Sequence, residues 1–233
     1  MGARVLYGQA MPPSIVFDVN ETLLDLEPFR AWFSERFKNR PDAATWFSEL
    51  LRISFVSSVT DRYVPFPDLA ASALETVAAR SGVLVTASDT ALAANIFTTL
   101  PAHPEVADAL GHLRSAGYTV AALTNSPLPV AEEQLANAGI GGLFDEIMSV
   151  DTVHRFKPHR SVYQAAARLL GVPESELVMV AAHDWDVAGA MTAGCHGVFI
   201  ARSGQVYSTS FEPPNMTAPD VGEAARMIVR RYG

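Results

Sequence analysis

The sequence predicts an α/β fold in which a parallel sheet carries helices on both faces and a helical subdomain is inserted after the first strand. Short apolar runs alternate with segments of helical periodicity along most of the 233 residues. This alternation favours parallel strands that are joined by crossover helices. The helical segments end close to glycines, as helices commonly do. One long aromatic segment near the N-terminus interrupts the alternation, and it is the candidate insertion.

The apolar runs and the segments between them predict the order of the elements. Strands are predicted at residues 15–17, 120–123, 177–180 and 197–200. Helices are predicted at residues 105–116, 129–138, 161–170 and 187–193, closely followed by Gly117, Gly139, Gly171 and Gly194. These elements predict a Rossmann-like parallel sheet core that comprises residues 14–25 and 101–233.

Residues 26–100 are predicted to form a helical cap inserted into that core. The segment is rich in Phe, Trp, Leu and Ala, and its large apolar residues recur at spacings of three and four. Such spacing is typical of a helix with one buried face. Nothing in the segment has the pattern of a strand. The Pro-Ala-His-Pro stretch at residues 101–104 is expected to be the hinge that returns the chain to the core.

Composition and charge exclude several classes of partner. The net charge is -8 and the sequence contains no run of Lys or Arg, so neither nucleic acid nor an anionic membrane surface is expected to bind. The single cysteine, Cys195, excludes an internal disulfide and fits a reducing cytoplasm. No apolar run reaches membrane-spanning length. No signal peptide is expected, and residues 1–13 are interpreted as a short leader.

Polar residues follow several of the predicted strands. Asp18 ends the first strand, Thr124 and Asn125 end the second, and His183 to Asp186 follow the third. Lys157 lies in a loop before a helix. Ligands of open parallel sheets bind beyond the carboxyl ends of the strands. These side chains are therefore expected to converge at one edge of the sheet.

Four motifs resemble the haloacid dehalogenase superfamily, and most closely its type II 2-haloacid dehalogenase branch. They are FDVNETLLD from Phe17, LTNSP from Leu123, FKPHRSVYQAA from Phe156 and VAAHDWDVAGA from Val180. Each motif is weak alone, but four in the same order and register are specific. The resemblance extends from Ser14 to about Gly204 and implies an aspartyl nucleophile in an α/β core.

The resemblance assigns a role to each polar residue. Asp18 would be the nucleophile, which attacks carbon and forms an ester. Lys157 would keep Asp18 ionised, and Asp186 would position the hydrolytic water. Thr124 and Asn125 would hold a substrate carboxylate. Thr22 would hydrogen-bond near Asp18, although threonine is also typical of a residue that caps the start of a helix. Tyr163 would orient the lysine or the substrate, unless it is an aromatic residue of the core.

Two positions argue against phosphoryl transfer. Phosphatases of the superfamily carry an aspartate two residues after the nucleophile, where this chain has Asn20, which cannot transfer a proton in that way. They also carry an aspartate where this chain has Ala182, so one ligand for Mg²⁺ is missing. A halide leaves without a proton. We therefore expect metal-independent displacement at carbon, with no cofactor and with Asn20 at the substrate.

Other positions depart from the dehalogenase pattern. The branch has an arginine for the halide after a cap tryptophan, where this chain has Phe47. Arg52 is a candidate replacement, although it lies about 140° round a helix from Phe47. Glu21 stands at a glycine position of the family. His183 stands at an asparagine position and is open to several roles: binding the carboxylate, taking a proton from water, contacting the leaving group, or capping the helix.

The predicted function is hydrolysis of a small 2-substituted carboxylic acid, most simply an (S)-2-haloacid, by Asp18, Lys157, Asp186 and Thr22. Three alternatives stay open: another electrophile without a halide, a Mg²⁺-dependent phosphatase, and a non-catalytic binding protein. The expected partner is a small-molecule 2-halo or other 2-substituted carboxylate. A cytoplasmic location and a homodimer are also expected.

Overall fold

The computed structural model describes residues 12–38 and 40–233, so most of the expected leader lies outside the described residues. Six strands in these ranges form one sheet in the order β3-β2-β1-β4-β5-β6, and every neighbouring pair is parallel. The strands are β1 (Ser14–Phe17), β2 (Val120–Thr124), β3 (Glu146–Ser149), β4 (Leu177–Ala181), β5 (His196–Ile200) and β6 (Met216–Ala218). The α/β prediction is confirmed.

Five helices alternate with the strands of the core: α5 (Val106–Ser115), α6 (Leu128–Asn137), α7 (Arg160–Leu170), α8 (Asp184–Thr192) and α9 (Val221–Tyr232). The four predicted strands agree with β1, β2, β4 and β5 to within one residue. These strands are almost wholly buried, which is why they appear in the sequence as continuous apolar runs. The prediction missed β3 and β6, the edge strands, because they are short and partly exposed and their pattern is weak.

Four helices lie between β1 and α5: α1 (Glu27–Phe37), α2 (Ala43–Val59), α3 (Phe66–Arg80) and α4 (Ala87–Thr98). Their core is aromatic, since the ring of Phe29 lies 4.6–5.6 Å from the rings of Trp32, Phe33, Trp46 and Phe97. Such ring pairs stabilise a core beyond the area that they bury. No helix in the described ranges is both long and apolar enough to span a membrane.

The two connections between these helices and the sheet run side by side. Asp25 donates a backbone hydrogen bond to Pro101 at 2.8 Å, and His103 donates one to Leu23 at 2.9 Å. The chain therefore leaves and re-enters the core at one place, close to the end of β1. As a result, the helical segment lies over the carboxyl edge of the sheet, where Asp18 follows β1 and His183 follows β4.

Gly189 of α8 lets the loop that carries Lys157 approach the sheet. A β-carbon at Gly189 would overlap Pro158 and would lie 2.9 Å from the Tyr163 hydroxyl. A glycine is therefore needed here for space. Gly111 in α5 offers a contrast, because a β-carbon there would meet nothing within 4 Å.

We predict opposite effects of alanine at these two glycines. Gly189→Ala should lower the free energy of unfolding by about 1–3 kcal/mol, because an extra methyl group is forced into a packed contact. Gly111→Ala should raise it by about 0.5–1 kcal/mol, because glycine in an open helix interior is unfavourable. Urea denaturation of both variants measures the two changes. An equal effect of the two substitutions would contradict the close packing of α8 on the Lys157 loop.

Candidate active site

Asp18 is a buried carboxylate at the end of the central strand β1. Its side chain is 7% exposed, and its backbone N–H donates to Val180 at 3.0 Å. Its Oδ1 accepts a hydrogen bond from Lys157 Nζ at 2.7 Å, and its Oδ2 accepts one from Thr22 Oγ1 at 2.7 Å. Burial alone would raise the pKa of Asp18, but the charge of Lys157 and the contact with His183 hold it well below its usual range. Asp18 is therefore an ionised carboxylate.

Lys157 binds three acceptors from inside the protein. Its Nζ donates to Asp18 Oδ1 and Asp186 Oδ2, both at 2.7 Å, and to the carbonyl of Leu123 at 2.9 Å. The backbone N–H of Lys157 donates to Asn125 Oδ1 at 3.0 Å. Burial would lower the pKa of Lys157, but the two carboxylates raise it overall. Lys157 is thus a fixed cation inside the protein.

Thr22 connects Asp18 to the next strand of the sheet. Its hydroxyl donates to Asp18 Oδ2 and accepts from the backbone N–H of Ala182 at 2.9 Å. Thr22 is fully buried and lies before α1 in the chain. The helix-cap interpretation of this residue is therefore wrong, and the interpretation as a neighbour of Asp18 is confirmed.

Asp186 and Tyr163 lie beneath the site and do not line its cavity. Asp186 Oδ2 accepts from Lys157 Nζ, and Asp186 Oδ1 accepts from Tyr163 Oη at 2.6 Å. Both side chains are fully buried. Burial raises the pKa of Asp186, and burial together with the charge of Asp186 raises that of Tyr163. Tyr163 was predicted to orient the lysine or the substrate unless it is a core aromatic; its side chain lies outside the cavity lining, and its hydroxyl is directed at Asp186, the partner of Lys157.

His183 connects Asp18 to Glu21, a contact that the sequence analysis did not foresee. Its Nδ1 lies 3.1 Å from Asp18 Oδ2, and its Nε2 lies 3.0 Å from Glu21 Oε2. The imidazole stacks between Phe47, at 5.5 Å, and Trp185, at 5.1 Å between ring centroids. Burial would lower the pKa of His183, but its hydrogen bonds to the two carboxylates raise it to about 9. His183 is therefore an imidazolium in the resting protein.

Glu21 occupies a backbone conformation that favours glycine. Its φ is 66°, in the left-handed region, where a side chain costs roughly 1–2 kcal/mol. Its carboxylate contacts His183 and also forms an ion pair with Arg30 of α1. Burial would raise the pKa of Glu21, but its contacts with His183 and Arg30 lower it. The sequence contained one sign that this residue is unusual, because Glu21 stands at a position where the resembled family has glycine.

A cavity of about 190 Å³ lies between the sheet edge and the helical segment. Its floor is polar and includes Asp18, Asn20, Thr124, Asn125 and His183. Asn20 is oriented by Gln134, whose Nε2 donates to its Oδ1 at 3.1 Å. The walls are apolar and come mainly from α1 to α4, and they include Phe29, Trp46, Phe47, Leu50, Phe66, Leu74 and Phe97. Phe47 is thus part of the wall.

The structure corrects the prediction for Arg52. Its side chain is 56% exposed and forms an ion pair with Glu49 one turn earlier in α2. It does not line the cavity. The physical reason is the angular offset between Arg52 and Phe47 on the helix, which turns Arg52 towards solvent.

The described ranges contain no group of three or more His, Cys, Asp or Glu side chains arranged to hold a metal ion. The carboxylates of the site are bound by other side chains. Asp18 and Asp186 share Lys157, and Glu21 is shared by His183 and Arg30. The position at which superfamily phosphatases carry a further aspartate is Ala182, whose N–H binds Thr22.

The ion pairs of His183 predict a pH-dependent stability. A group whose pKa rises on folding stabilises the protein fully below its ordinary pKa of 6.5, and this contribution is lost as the pH rises through about 9. The loss should be on the order of 3 kcal/mol between these two pH values.

Chemical denaturation across this pH range tests the expectation. The free energy of unfolding should fall more steeply with pH for the native sequence than for His183→Gln. His112→Gln, a change at an exposed histidine, should follow the native curve. Parallel curves for the native sequence and His183→Gln would show that His183 keeps an ordinary pKa.

Comparison with known proteins gives a consistent result. A sequence model described as haloacid dehalogenase-like hydrolase matches residues 13–194. The chain is 26% identical over 217 residues to the (S)-2-haloacid dehalogenase H-109 of Pseudomonas putida, covering 92% of this chain and 97% of that protein. It is 29% identical to the (S)-2-haloacid dehalogenase of Pseudomonas sp. (strain YL), covering 86% of this chain and 88% of that protein.

Solved structures agree with the sequence comparison. The chain resembles the L-2-haloacid dehalogenase of Xanthobacter autotrophicus, solved with chloropropionic acid covalently bound, with a TM-score of 0.86 and 26% identity. That match covers 96% of this chain and 100% of the other. Because the family match spans well over half of the sequence, and fold and site geometry agree with it, the chain belongs to the haloacid dehalogenase-like hydrolase family.

Proposed function

We propose that this protein hydrolyses small 2-substituted carboxylic acids, most simply an (S)-2-haloacid, to the corresponding 2-hydroxy acids. The observation that carries the proposal is the ionised carboxylate of Asp18 at the floor of an apolar cavity. A carboxylate that is kept from bulk water and held by Lys157 is a competent nucleophile towards carbon. The names of the relatives support a 2-haloacid as the substrate.

In the first step, Asp18 attacks carbon 2 of the acid in line with the leaving group. The new C–O bond makes an ester, the configuration at carbon inverts, and the halide leaves with the bonding electrons. Thr124 and Asn125, which line the cavity beside Asp18, hold the carboxylate of the substrate. Lys157 keeps Asp18 charged before the attack. The second step is attack of water on the ester carbonyl, which releases the hydroxy acid and restores Asp18.

The departing halide needs a positively charged neighbour. Phe47 carries no charge, and Arg52 pairs with Glu49 outside the cavity, so another residue must supply it. Among the described side chains that line the cavity, His183 is the only one with a positive charge. It also touches Asp18, so it lies close to the reacting carbon. His183 therefore takes the place of the arginine that the resembled dehalogenases use for the halide.

Two of the three alternative functions, the phosphatase and the non-catalytic binding protein, lack support at specific residues. A phosphatase needs a proton donor for the leaving alcohol, and the residue at that place is Asn20, whose amide is bound by Gln134. A non-catalytic binding protein has no need of two cations in contact with Asp18, yet Lys157 and His183 both contact it. Displacement at carbon fits the residues better than either alternative.

Residues 26–100 are proposed to act as a cap that excludes bulk water and shapes specificity, with residues 14–25 and 101–233 as the catalytic core. The apolar walls that α1 to α4 contribute to the cavity support this division. A cytoplasmic location and a homodimer stay predictions from composition and from the resemblance.

The central prediction concerns the nucleophile. The native protein, treated with EDTA, should release halide from (S)-2-chloropropionate. Asp18→Asn should lose at least about 1,000-fold of that rate, because the amide cannot form the ester. Ion chromatography measures the halide, with (R)-2-chloropropionate, chloroacetate and fluoroacetate as further substrates.

Phosphate release from p-nitrophenyl phosphate is the control for this assay. Release that depends on added Mg²⁺ and exceeds halide release would favour the phosphatase alternative. Halide release that survives in Asp18→Asn would contradict the role of Asp18 as nucleophile. Circular dichroism of the variant establishes that it is folded.

Arg52 provides a second prediction. Arg52→Ala should keep at least about half of the native rate of halide release, because the side chain pairs with Glu49 outside the cavity, where such ion pairs contribute little. Phe47→Ala, which opens the apolar wall, should raise KM for the same acid. A loss of more than about tenfold in Arg52→Ala would mean that Arg52 reaches the substrate during turnover.

A further inference from the structure

We propose that Gln134 positions Asn20, so that the amino group of Asn20 donates a hydrogen bond to the carboxylate of the substrate. Gln134 lies in α6, outside the four motifs of the family resemblance, and the sequence analysis assigned it no role. The inference rests on the proposed function and deepens it, because it names the contacts by which the site selects an acid.

Gln134 is buried between the core and the helical segment. It is 1% exposed, and its Nε2 donates to the backbone carbonyl of Phe97 at 2.8 Å and to Asn20 Oδ1 at 3.1 Å. A backbone carbonyl can only accept a hydrogen bond, so it fixes which end of the Gln134 amide faces it. Among the described residues, the buried Gln134 Oε1 has no partner. The side chain therefore keeps this direction at a cost, since an unpaired buried acceptor is unfavourable.

The direction of Gln134 determines that of Asn20. The carbonyl oxygen of Asn20 faces the N–H of Gln134, so the amino group is the end that is left for the cavity, which Asn20 lines. A reversed Asn20 amide would bring two N–H groups face to face, which neither could satisfy. Asn20 therefore presents a hydrogen-bond donor to a bound ligand.

The neighbouring polar side chains are oriented in the same sense by other backbone groups. Asn125 Oδ1 accepts from the backbone N–H of Lys157 at 3.0 Å, so its amino group is also left for the cavity. Thr124 Oγ1 accepts from the backbone N–H of Ser126 at 3.1 Å, which leaves its O–H as a donor. Asn20, Asn125 and Thr124 thus use their acceptor atoms inside the protein and direct donors at the ligand.

A ligand that meets these donors has to be an acceptor. An ionised carboxylate only accepts hydrogen bonds, and bonds to a charged acceptor are stronger than those between neutral groups. The donors also share one side of the nucleophile, because Thr124 ends β2, Asn125 follows it, and Asn20 is bound by the helix that comes next. In the sheet, β2 and β4 lie on opposite sides of β1. The substrate carboxylate is therefore assigned to the β2 side of the site.

Binding of 2-methylpropionate, in which a methyl group replaces the chlorine of the substrate, tests the inference without a chemical step. Glutamate at position 134 has at most one hydrogen for the two acceptors that Gln134 binds. In Gln134→Glu, Asn20 should therefore turn its amino group to that carboxyl and its carbonyl oxygen to the cavity. The dissociation constant from calorimetry should rise at least about tenfold, as expected for one hydrogen bond to a charged group. Gln134→Met, which releases Asn20 without turning it, should raise it less.

Asn137→Asp is the matched control. Asn137 lies in the same helix, and its Nδ2 donates to the backbone carbonyl of Thr98 at 2.8 Å, beside the carbonyl that Gln134 binds. It connects α6 to α4 as Gln134 does, but it is exposed and does not line the cavity. Asn137→Asp should bind the acid within about twofold of the native protein. An equal loss in Asn137→Asp and Gln134→Glu would overturn the inference, because Gln134 would then act only by holding the helices together.

A double-mutant cycle separates the role of Asn20 from other effects of Gln134. Asn20→Ala should itself weaken binding, and Gln134→Glu should then add less than about twofold, because residues that act through one contact are not additive. Full additivity of the two substitutions would overturn the inference. Circular dichroism establishes that each variant is folded.

Halide release distinguishes failure of this inference from failure of the proposed function. In Gln134→Glu, KM for (S)-2-chloropropionate should rise at least about tenfold and kcat should fall less, because the lost contact is to the carboxylate and not to the reacting carbon. Native protein that binds 2-methylpropionate but releases no halide from any of the acids would overturn the proposed function. Unchanged binding in Gln134→Glu, or no binding by the native protein, would overturn this inference.

Discussion

The arrangement of the site depends on the buried ammonium of Lys157. It bridges Asp18 and Asp186 at 2.7 Å each, so that two carboxylates, one directly after β1 and one in α8, are kept close together without mutual repulsion. Two buried anions near each other would otherwise take up a proton. Asn125 holds the backbone of Lys157, and Gly189 leaves the space for its loop. Removal of this cation would leave an uncompensated negative charge in the core.

The site is formed by two parts of the chain, the carboxyl edge of the sheet and the helical segment that covers it. The edge supplies polar groups at the carboxyl ends of parallel strands, as in other open α/β sheets. The aromatic helices cover that edge with an apolar wall, so the charges on Asp18 and His183 act in a medium where they are poorly screened. A carboxylate that is stable in such a place needs fixed partners. Lys157, Thr22 and His183 are those partners.

Glu21 and His183 set this chain apart from the pattern that it otherwise follows. A glutamate with φ of 66° is conformationally costly, and the cost is offset by its ion pairs with His183 and Arg30. Strained backbone of this kind tends to cluster at functional sites. His183, held by Glu21, adds a second cation beside Asp18, at the carboxylate oxygen that Lys157 does not contact.

The sequence by itself determined the fold class, the central strands and the order of the polar motifs, because buried parallel strands are continuous apolar runs and polar residues must follow them. Edge strands carry too weak a pattern to be predicted. Only the tertiary structure decided which side chains meet. Tyr163 points at Asp186, Arg52 turns to solvent, and Glu21, after β1, reaches His183, after the neighbouring strand β4. These outcomes depend on helix rotation and on contacts between residues far apart in the chain, which local pattern does not contain.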